Sequence, residues 1–70
     1  MSDRLDVLRQ LARENVERHL GDACDPDDDP SVIEDNAYVL AHDAVVDAGA
    51  SMEVARMVAE EISMELYKAK

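Results

Sequence analysis

The sequence contains no tryptophan or phenylalanine and only two tyrosines among its 70 residues. A hydrophobic core must therefore consist of leucine, valine, isoleucine, methionine and alanine. A chain of this length is expected to form one domain, residues 1–70. Since so small a core contributes roughly 3–5 kcal/mol of net stability at most, we expect dimerisation or a partner protein to complete the fold.

Cysteine and long apolar runs are scarce as well. Cys24 is the only cysteine, which excludes an internal disulfide. No stretch reaches the roughly 18 apolar residues that a membrane-spanning helix requires, and the N-terminus has no signal-peptide pattern. These absences predict a soluble protein that does not associate with membranes and works in the cytoplasm, whether that of its own cell or that of a host.

Basic residues almost disappear after the first 20 positions. Residues 1–20 hold four acids and four arginines, whereas residues 21–67 hold thirteen acids and one base, Arg56. The net charge of −10 therefore arises in the second part of the chain. Such a negative field repels nucleic acid and anionic membranes, and it attracts basic surfaces or cations.

Helical spacing of apolar residues predicts an all-α domain with helices at about 3–20, 30–48 and 51–67. The first helix has Ser2 as a suitable N-cap, Asp3 in its first turn and Gly21 as its stop. Its apolar stripe consists of Leu5, Leu8, Leu11, Ala12, Val16 and Leu20. Asn15 and His19 lie within or beside this stripe, where they either meet water or set the register of a helix pairing.

The segment after the first helix has the composition of a loop. Residues 21–30 contain two prolines and five aspartates, which predicts an acidic loop at 21–29. Two signals then compete for the start of the second helix. Asp29 can cap it with Pro30 at the first helical position, or Ser31 and Glu34 can form a capping box.

The second helix carries apolar residues on two faces. The broad face consists of Ile33, Ala37, Leu40, Ala41, Ala44 and Ala48, and a separate row consists of Val32, Val39 and Val46. A helix with two apolar faces needs two neighbours. The two other helices can supply both contacts, in a three-helix bundle or αα-hairpin type of fold, or a second copy can pack on the valine row in a homodimer.

Gly49 is expected to end the second helix, and Ser51 to cap the third. The core stripe of the third helix consists of Val54, Ala55, Val58, Ala59, Ile62 and Leu66. Met57 and Met64 lie on another side, among glutamates. They form either the second side of a bundle core or an adaptable contact surface.

The aspartates of the loop resemble part of a calcium-binding loop. Asp25, Asp27, Asp29 and Ser31 have the spacing of its first four ligands. Proline replaces the required glycine at the sharp turn, and Asn36 replaces the bidentate glutamate at the end. The pattern thus favours a solvated acidic linker, and we predict no metal site.

Histidine and cysteine are too sparse for a catalytic or zinc site. His19, Cys24 and His42 match no zinc-ligand spacing. A nucleophile–base pair of Cys24 with a histidine would lack both an orienting group and an oxyanion hole. We predict neither enzymatic activity nor a bound cofactor.

The second and third helices can be aligned with a helix-turn-helix, in which Ala48 to Ser51 resembles the turn, and Val54 and Val58 are the packing positions. The candidate recognition helix carries four glutamates against Arg56 alone. This charge has the wrong sign for binding DNA phosphates. A degenerate helix-turn-helix regulator therefore remains an alternative, whereas the main prediction includes no direct binding of nucleic acid.

Two explanations fit the acidity. In size and charge the chain resembles small acidic inhibitors of phages and other mobile elements, whose carboxylates imitate nucleic acid on a basic protein. It is also similar to proteins of salt-loving archaea, which are rich in Asp and Glu and poor in Lys. In that case it would be a salt-adapted helical protein with a housekeeping role.

We therefore predict a non-catalytic helical module that regulates or inhibits a partner, such as a basic protein, through a carboxylate-rich surface, either as a homodimer or as a subunit of a complex. The predicted partner-binding residues are Glu53, Met57, Glu60, Glu61, Met64, Asp43 and Asp47. The predicted dimer face is Val32, Val39 and Val46.

Overall fold

The computed structural model describes residues 4–68, with side chains through residue 65. Within this range the chain is entirely helical apart from its connections: α1 spans Arg4–Ala23, α2 spans Pro30–Asp47 and α3 spans Met52–Lys68. The three helices pack together without any strand among the described residues. The all-α prediction is confirmed. The predicted cap Ser2, first-turn Asp3 and the Leu66 side chain lie outside what the structure describes.

The first helix is longer than predicted. It continues through Gly21 to Ala23, and the Cys24 amide still donates to the Leu20 carbonyl at 3.1 Å. A glycine ends a helix readily when it adopts a left-handed conformation, but Gly21 has no positive φ. The predicted stop at Gly21 is therefore wrong, and the acidic loop is residues 24–29 instead of 21–29.

The second helix begins at Pro30, with Asp29 at the N-cap position. The capping box of Ser31 and Glu34 does not form. The Asp29 side chain makes no capping hydrogen bond, whereas its carbonyl accepts from the amides of Val32 and Ile33 at 2.9 and 3.1 Å. Proline suits this first position because its missing N–H would have no helical partner there.

The connection from α2 to α3 follows the prediction. Gly49 has φ +92°, and the amides of Gly49 and Ala50 donate to the carbonyls of Val46 and Val45 at 3.0 and 3.2 Å. This pattern is a Schellman motif, which satisfies the last carbonyls of the helix. The Ser51 hydroxyl then accepts from the Val54 amide at 3.3 Å, so the predicted cap of α3 is confirmed.

The core is shared by all three helices, and α2 packs against both of the others. Its buried members are Leu8, Ala12, Val16, Ala37, Ala41, Val45, Ala55, Val58, Ala59 and Ile62. The α3 stripe is buried as predicted at Ala55, Val58, Ala59 and Ile62, with Val54 half-buried. The core therefore combines a few branched side chains with many alanines, and the helices approach closely.

Two parts of the predicted core are wrong. Leu11 is 41% exposed, whereas the rest of the α1 stripe is buried or half-buried. On α2, Val45 is buried although it was not predicted, and Ala48 is exposed. The buried face of α2 is thus rotated from the predicted one, toward Val45 and away from Ala48.

Polar contacts fix the helices relative to one another. Asn15 Nδ2 donates to the Leu40 carbonyl at 2.8 Å between α1 and α2. Of the two alternatives for this pair of residues, Asn15 makes a polar contact between paired helices, whereas His19 is exposed. Asn15 is half-buried, so its hydrogen bond also prevents an unsatisfied amide at the helix interface.

Candidate interaction surfaces

The outer face of α3 carries two exposed methionines. Met57 and Met64 are 43% and 52% exposed, and they lie opposite the buried Ala55 and Ile62 on the helix. They are therefore not the second side of a core within one chain. Glu53 and Glu60 each precede a methionine by four residues, so both lie on the same face. We call the residues Glu53, Met57, Glu60 and Met64 the α3 row.

Glu53 and Glu60 form no ion pair with any residue that the structure describes, whereas Glu61 does. Arg9 donates to both Glu61 carboxylate oxygens, at 2.6 and 3.3 Å, and to Asp6 at 3.0 Å. The Glu61 hydrogen bond raises the pKa of Arg9 above its ordinary value, against a smaller opposing effect of desolvation. Glu61 thus lies at the edge toward α1 and already has a cationic partner.

A second ion pair follows the same edge. Arg13 donates to Glu65 at 2.9 Å, one helical turn beyond the Arg9–Glu61 pair. Both pairs join α1 to α3. Exposed ion pairs contribute only about 0.2–1 kcal/mol each. Their main consequence is that two of the acids of α3 are used within the chain, whereas Glu53 and Glu60 have no ion pair among the described residues.

The predicted acids of α2 belong to a different surface. Asp43 and Asp47 are exposed, and Asp47 lines a groove between α1 and α2 together with Leu11 and Arg18. Asp43 precedes Asp47 by four residues and therefore lies on a neighbouring part of the same face of α2. The structure therefore does not bring them together with the α3 row, and the predicted partner-binding residues divide into two sets.

Val32, Val39 and Val46 form a row on the outside of α2. They are 41%, 62% and 37% exposed and follow one another at intervals of seven residues. The row lies opposite the fully buried Ala37 and Ala41. The second apolar face of α2 therefore has no covering neighbour among the residues that the structure describes. We call these three residues the valine row.

The acidic loop is closed by its own hydrogen bonds. The Asp25 amide donates to Asp28 Oδ2 at 2.9 Å, and the Asp28 amide donates to the Asp25 carbonyl at 3.1 Å. Among residues 4–68, no three histidine, cysteine, aspartate or glutamate side chains are placed to hold a metal ion. The Cys24 thiol donates to the Leu20 carbonyl at 3.6 Å, and His42 stacks on Tyr38 with ring centroids 6.0 Å apart.

Sequence reasoning missed one apolar groove. It has a volume of about 340 Å³ and lies where the loop passes the end of α1. Its apolar lining is Val16, Leu20, Cys24, Pro26 and Ile33. No periodic pattern marks it, because it depends on the extra turn of α1 and on the path of the loop.

No helix in the described part of the chain is both long and apolar enough to cross a membrane. No protein-family model, curated protein or solved structure matches the sequence or the fold.

Proposed function

We propose that the chain is a non-catalytic protein-interaction module that regulates a partner protein by binding a basic surface through the α3 row. The observation that supports this is the exposure of Met57 and Met64 opposite the core, beside two glutamates without ion pairs among the described residues. Contact surfaces of this kind join apolar anchors to a charged rim. Methionine suits such a surface because its flexible thioether adapts to irregular partners.

The charges also specify the partner's chemistry. A complementary surface has apolar pockets seven helical residues apart, about 10.5 Å along the axis, rimmed by lysine or arginine. The negative field accelerates encounter with such a surface and makes binding sensitive to salt. A basic protein whose natural ligand is nucleic acid has this character, and binding by the acidic module would then inhibit it.

The negative charge of α3 disfavours direct DNA binding by a degenerate helix-turn-helix. The described side chains of α3 include Glu53, Glu60, Glu61 and Glu65 but one base, Arg56. Phosphate contacts require donors of positive charge at the recognition helix. The Schellman turn between α2 and α3 occurs in many αα-hairpins and gives no preference for DNA.

Affinity capture from a lysate of the source organism tests the proposal. Wild type, Glu53→Gln/Glu60→Gln, and Met57→Ala/Met64→Ala are compared at low and high salt, with identification of captured proteins by mass spectrometry. The double variant Asp25→Asn/Asp27→Asn is a matched control, because it removes the same charge from the loop. We expect one basic protein that wild type and control retain and that both α3 variants lose.

Equal retention by all four chains would contradict binding through the α3 row. Recovery of DNA that Arg56→Ala abolishes would favour the helix-turn-helix alternative. If no basic protein is retained and the chain loses helical circular dichroism below about molar salt, its acidity serves salt adaptation. In the salt-adapted case the exposed carboxylates repel one another when screening falls.

A further inference from the structure

The valine row has a patterned polar border. Asp35 and Asp43 lie four residues before and after Val39, which places them about 40° to either side of the row on a helix. Asn36 and His42 lie three residues before and after Val39, or about 60° to either side. Asp35 therefore shares one flank with His42, and Asp43 shares the other flank with Asn36. Each flank carries one carboxylate and one side chain with an N–H donor.

We propose that the valine row is the interface of a homodimer in which two α2 helices pack antiparallel. Val39 of both copies lies on the two-fold axis, and Val32 of each copy meets Val46 of the other. An interface of this symmetry uses the same patch twice and must be complementary to itself. The proposal does not depend on the α3 row, which lies on another helix and stays exposed in the dimer.

The polar border of the valine row is complementary to itself in an antiparallel pair. A two-fold axis perpendicular to both helices keeps each flank on its own side and reverses the chain direction. Asp35 of one copy then faces His42 of the other, and Asp43 of one copy faces Asn36 of the other. The facing residues differ in position along the helix axis by about 1.5 Å, the rise of one residue. All four carboxylates along the row thus meet a donor. No Asp35 faces another Asp35, and no Asp43 faces another Asp43.

The donors are positioned in the isolated chain. Asn36 Nδ2 donates to the Val32 carbonyl at 2.9 Å, which uses one of its two hydrogens and leaves the other for a second acceptor. The His42 ring stacks on Tyr38 at 6.0 Å. Both side chains are half-buried, so their orientations are restricted before association, which lowers the entropic cost of binding.

Charge outside the row selects the antiparallel direction. The acidic loop, with four aspartates at residues 25–29, immediately precedes α2. A parallel pair would bring both loops to one end of the dimer. An antiparallel pair separates them by about the length of α2, some 27 Å for 18 residues, which is beyond the Debye length in physiological salt.

Disulfide trapping tests this geometry in a full-length chain with Cys24→Ser, which retains a hydroxyl to replace the thiol donor. We expect V39C to cross-link to itself under mild oxidation, because a pair on the axis lies within disulfide reach. V32C and V46C should each fail alone, since identical positions lie about 21 Å apart along the axis. A mixture of V32C and V46C should cross-link. Exposed M57C is the matched control and should form no disulfide cross-link, although it still dimerises through the valine row.

Sedimentation equilibrium tests the association without oxidation. Val39→Asp should weaken self-association by at least about 100-fold, because two unpaired carboxylates would meet at the axis. Met57→Asp, an equivalent change on α3, should leave it unchanged. Wild-type association should strengthen with salt, since each chain carries a net charge of −10. Binding to a basic partner should weaken under the same change.

Three results would overturn the proposal. Efficient cross-linking of V32C alone would show a parallel pair. Equal self-association of Val39→Asp and wild type would place any interface elsewhere, as would equal cross-linking of M57C. A wild-type chain that stays monomeric at millimolar concentration in high salt would exclude the homodimer. None of these results affects capture of a basic protein by the α3 row, so the two proposals fail separately.

Discussion

Five alanines in the described part of the chain have no exposed surface at all: Ala12, Ala37, Ala41, Ala55 and Ala59. Each presents a single methyl group where the helices meet. Because protein interiors are packed at the density of organic crystals, a larger side chain at these positions must displace a neighbouring helix. The close approach of α2 to its two neighbours therefore depends on the smallness of these residues.

We expect Ala41→Leu to lower the free energy of unfolding by about 2–3 kcal/mol, because the added atoms overpack a closed site. Urea denaturation followed by circular dichroism measures this loss. Ala23→Leu is the matched control at an exposed helical position, and it should change stability by less than about 0.5 kcal/mol. A tolerated Ala41→Leu would show that the helices separate easily.

The Asn15 side chain joins α1 to α2 through its hydrogen bond to the Leu40 carbonyl. We expect Asn15→Ala to cost about 1 kcal/mol, the usual net value of a buried hydrogen bond. Asn15→Asp should cost more, because a carboxylate would face the Leu40 carbonyl without a donor between them. Denaturant titration of both variants gives the comparison. Equal stabilities for the two would mean that the amide donor does not hold α1 against α2.

At the scale of the elements, the two glycines have opposite roles. Gly21 lies inside α1 with helical geometry, whereas Gly49 adopts φ +92° at the end of α2. A Cβ atom added at either position would meet no neighbouring group within 4 Å. Any effect of alanine there is therefore conformational and not steric.

This contrast predicts changes of opposite sign. Gly21→Ala should stabilise the chain by about 0.5–1 kcal/mol, because alanine favours the helix interior. Gly49→Ala should destabilise it by about 1–2 kcal/mol, because a left-handed conformation strains an L-residue. Thermal or urea unfolding of the pair measures both. A change of the same sign in both variants would contradict the assigned backbone conformations.

For the whole molecule, charge distribution is the dominant feature. The arginines Arg9 and Arg13 of α1 compensate acids of α3, whereas the loop and the outside of α2 have no ion pair among the described residues. Repulsion between these carboxylates opposes folding and decreases as salt screens it.

We therefore expect the free energy of unfolding to rise as sodium chloride increases from about 0.1 to about 1 M, by roughly 1 kcal/mol or more. The triple variant Asp25→Asn/Asp27→Asn/Asp28→Asn should show a smaller rise. Urea titrations at each salt concentration provide the measurement. If salt destabilised the wild type, the Arg9 and Arg13 ion pairs would outweigh the repulsion.

Helical periodicity was sufficient to predict three helices, the turn at Gly49 and the Ser51 cap, because each depends on local sequence. It was insufficient where the packing of the helices determines which residues are buried. Val45 is buried in a core that all three helices share. Gly21 stays helical because the backbone hydrogen bonds of α1 continue past it to the Cys24 amide. Periodicity placed the α3 row and the valine row on the right helices. Only packing showed that both face solvent and that Asp43 and Asp47 lie elsewhere.

The size distribution of the side chains has a thermodynamic consequence. Among the described residues, eight large hydrophobic side chains are exposed, while half of the buried apolar core consists of alanine. Any ligand that covers the outer residues binds the native state and not the unfolded chain, and it shifts the folding equilibrium by mass action. The fraction of folded molecules would then depend on expression level and on the supply of binding partners. Resistance to proteolysis would therefore measure the fraction of chains that have a partner bound.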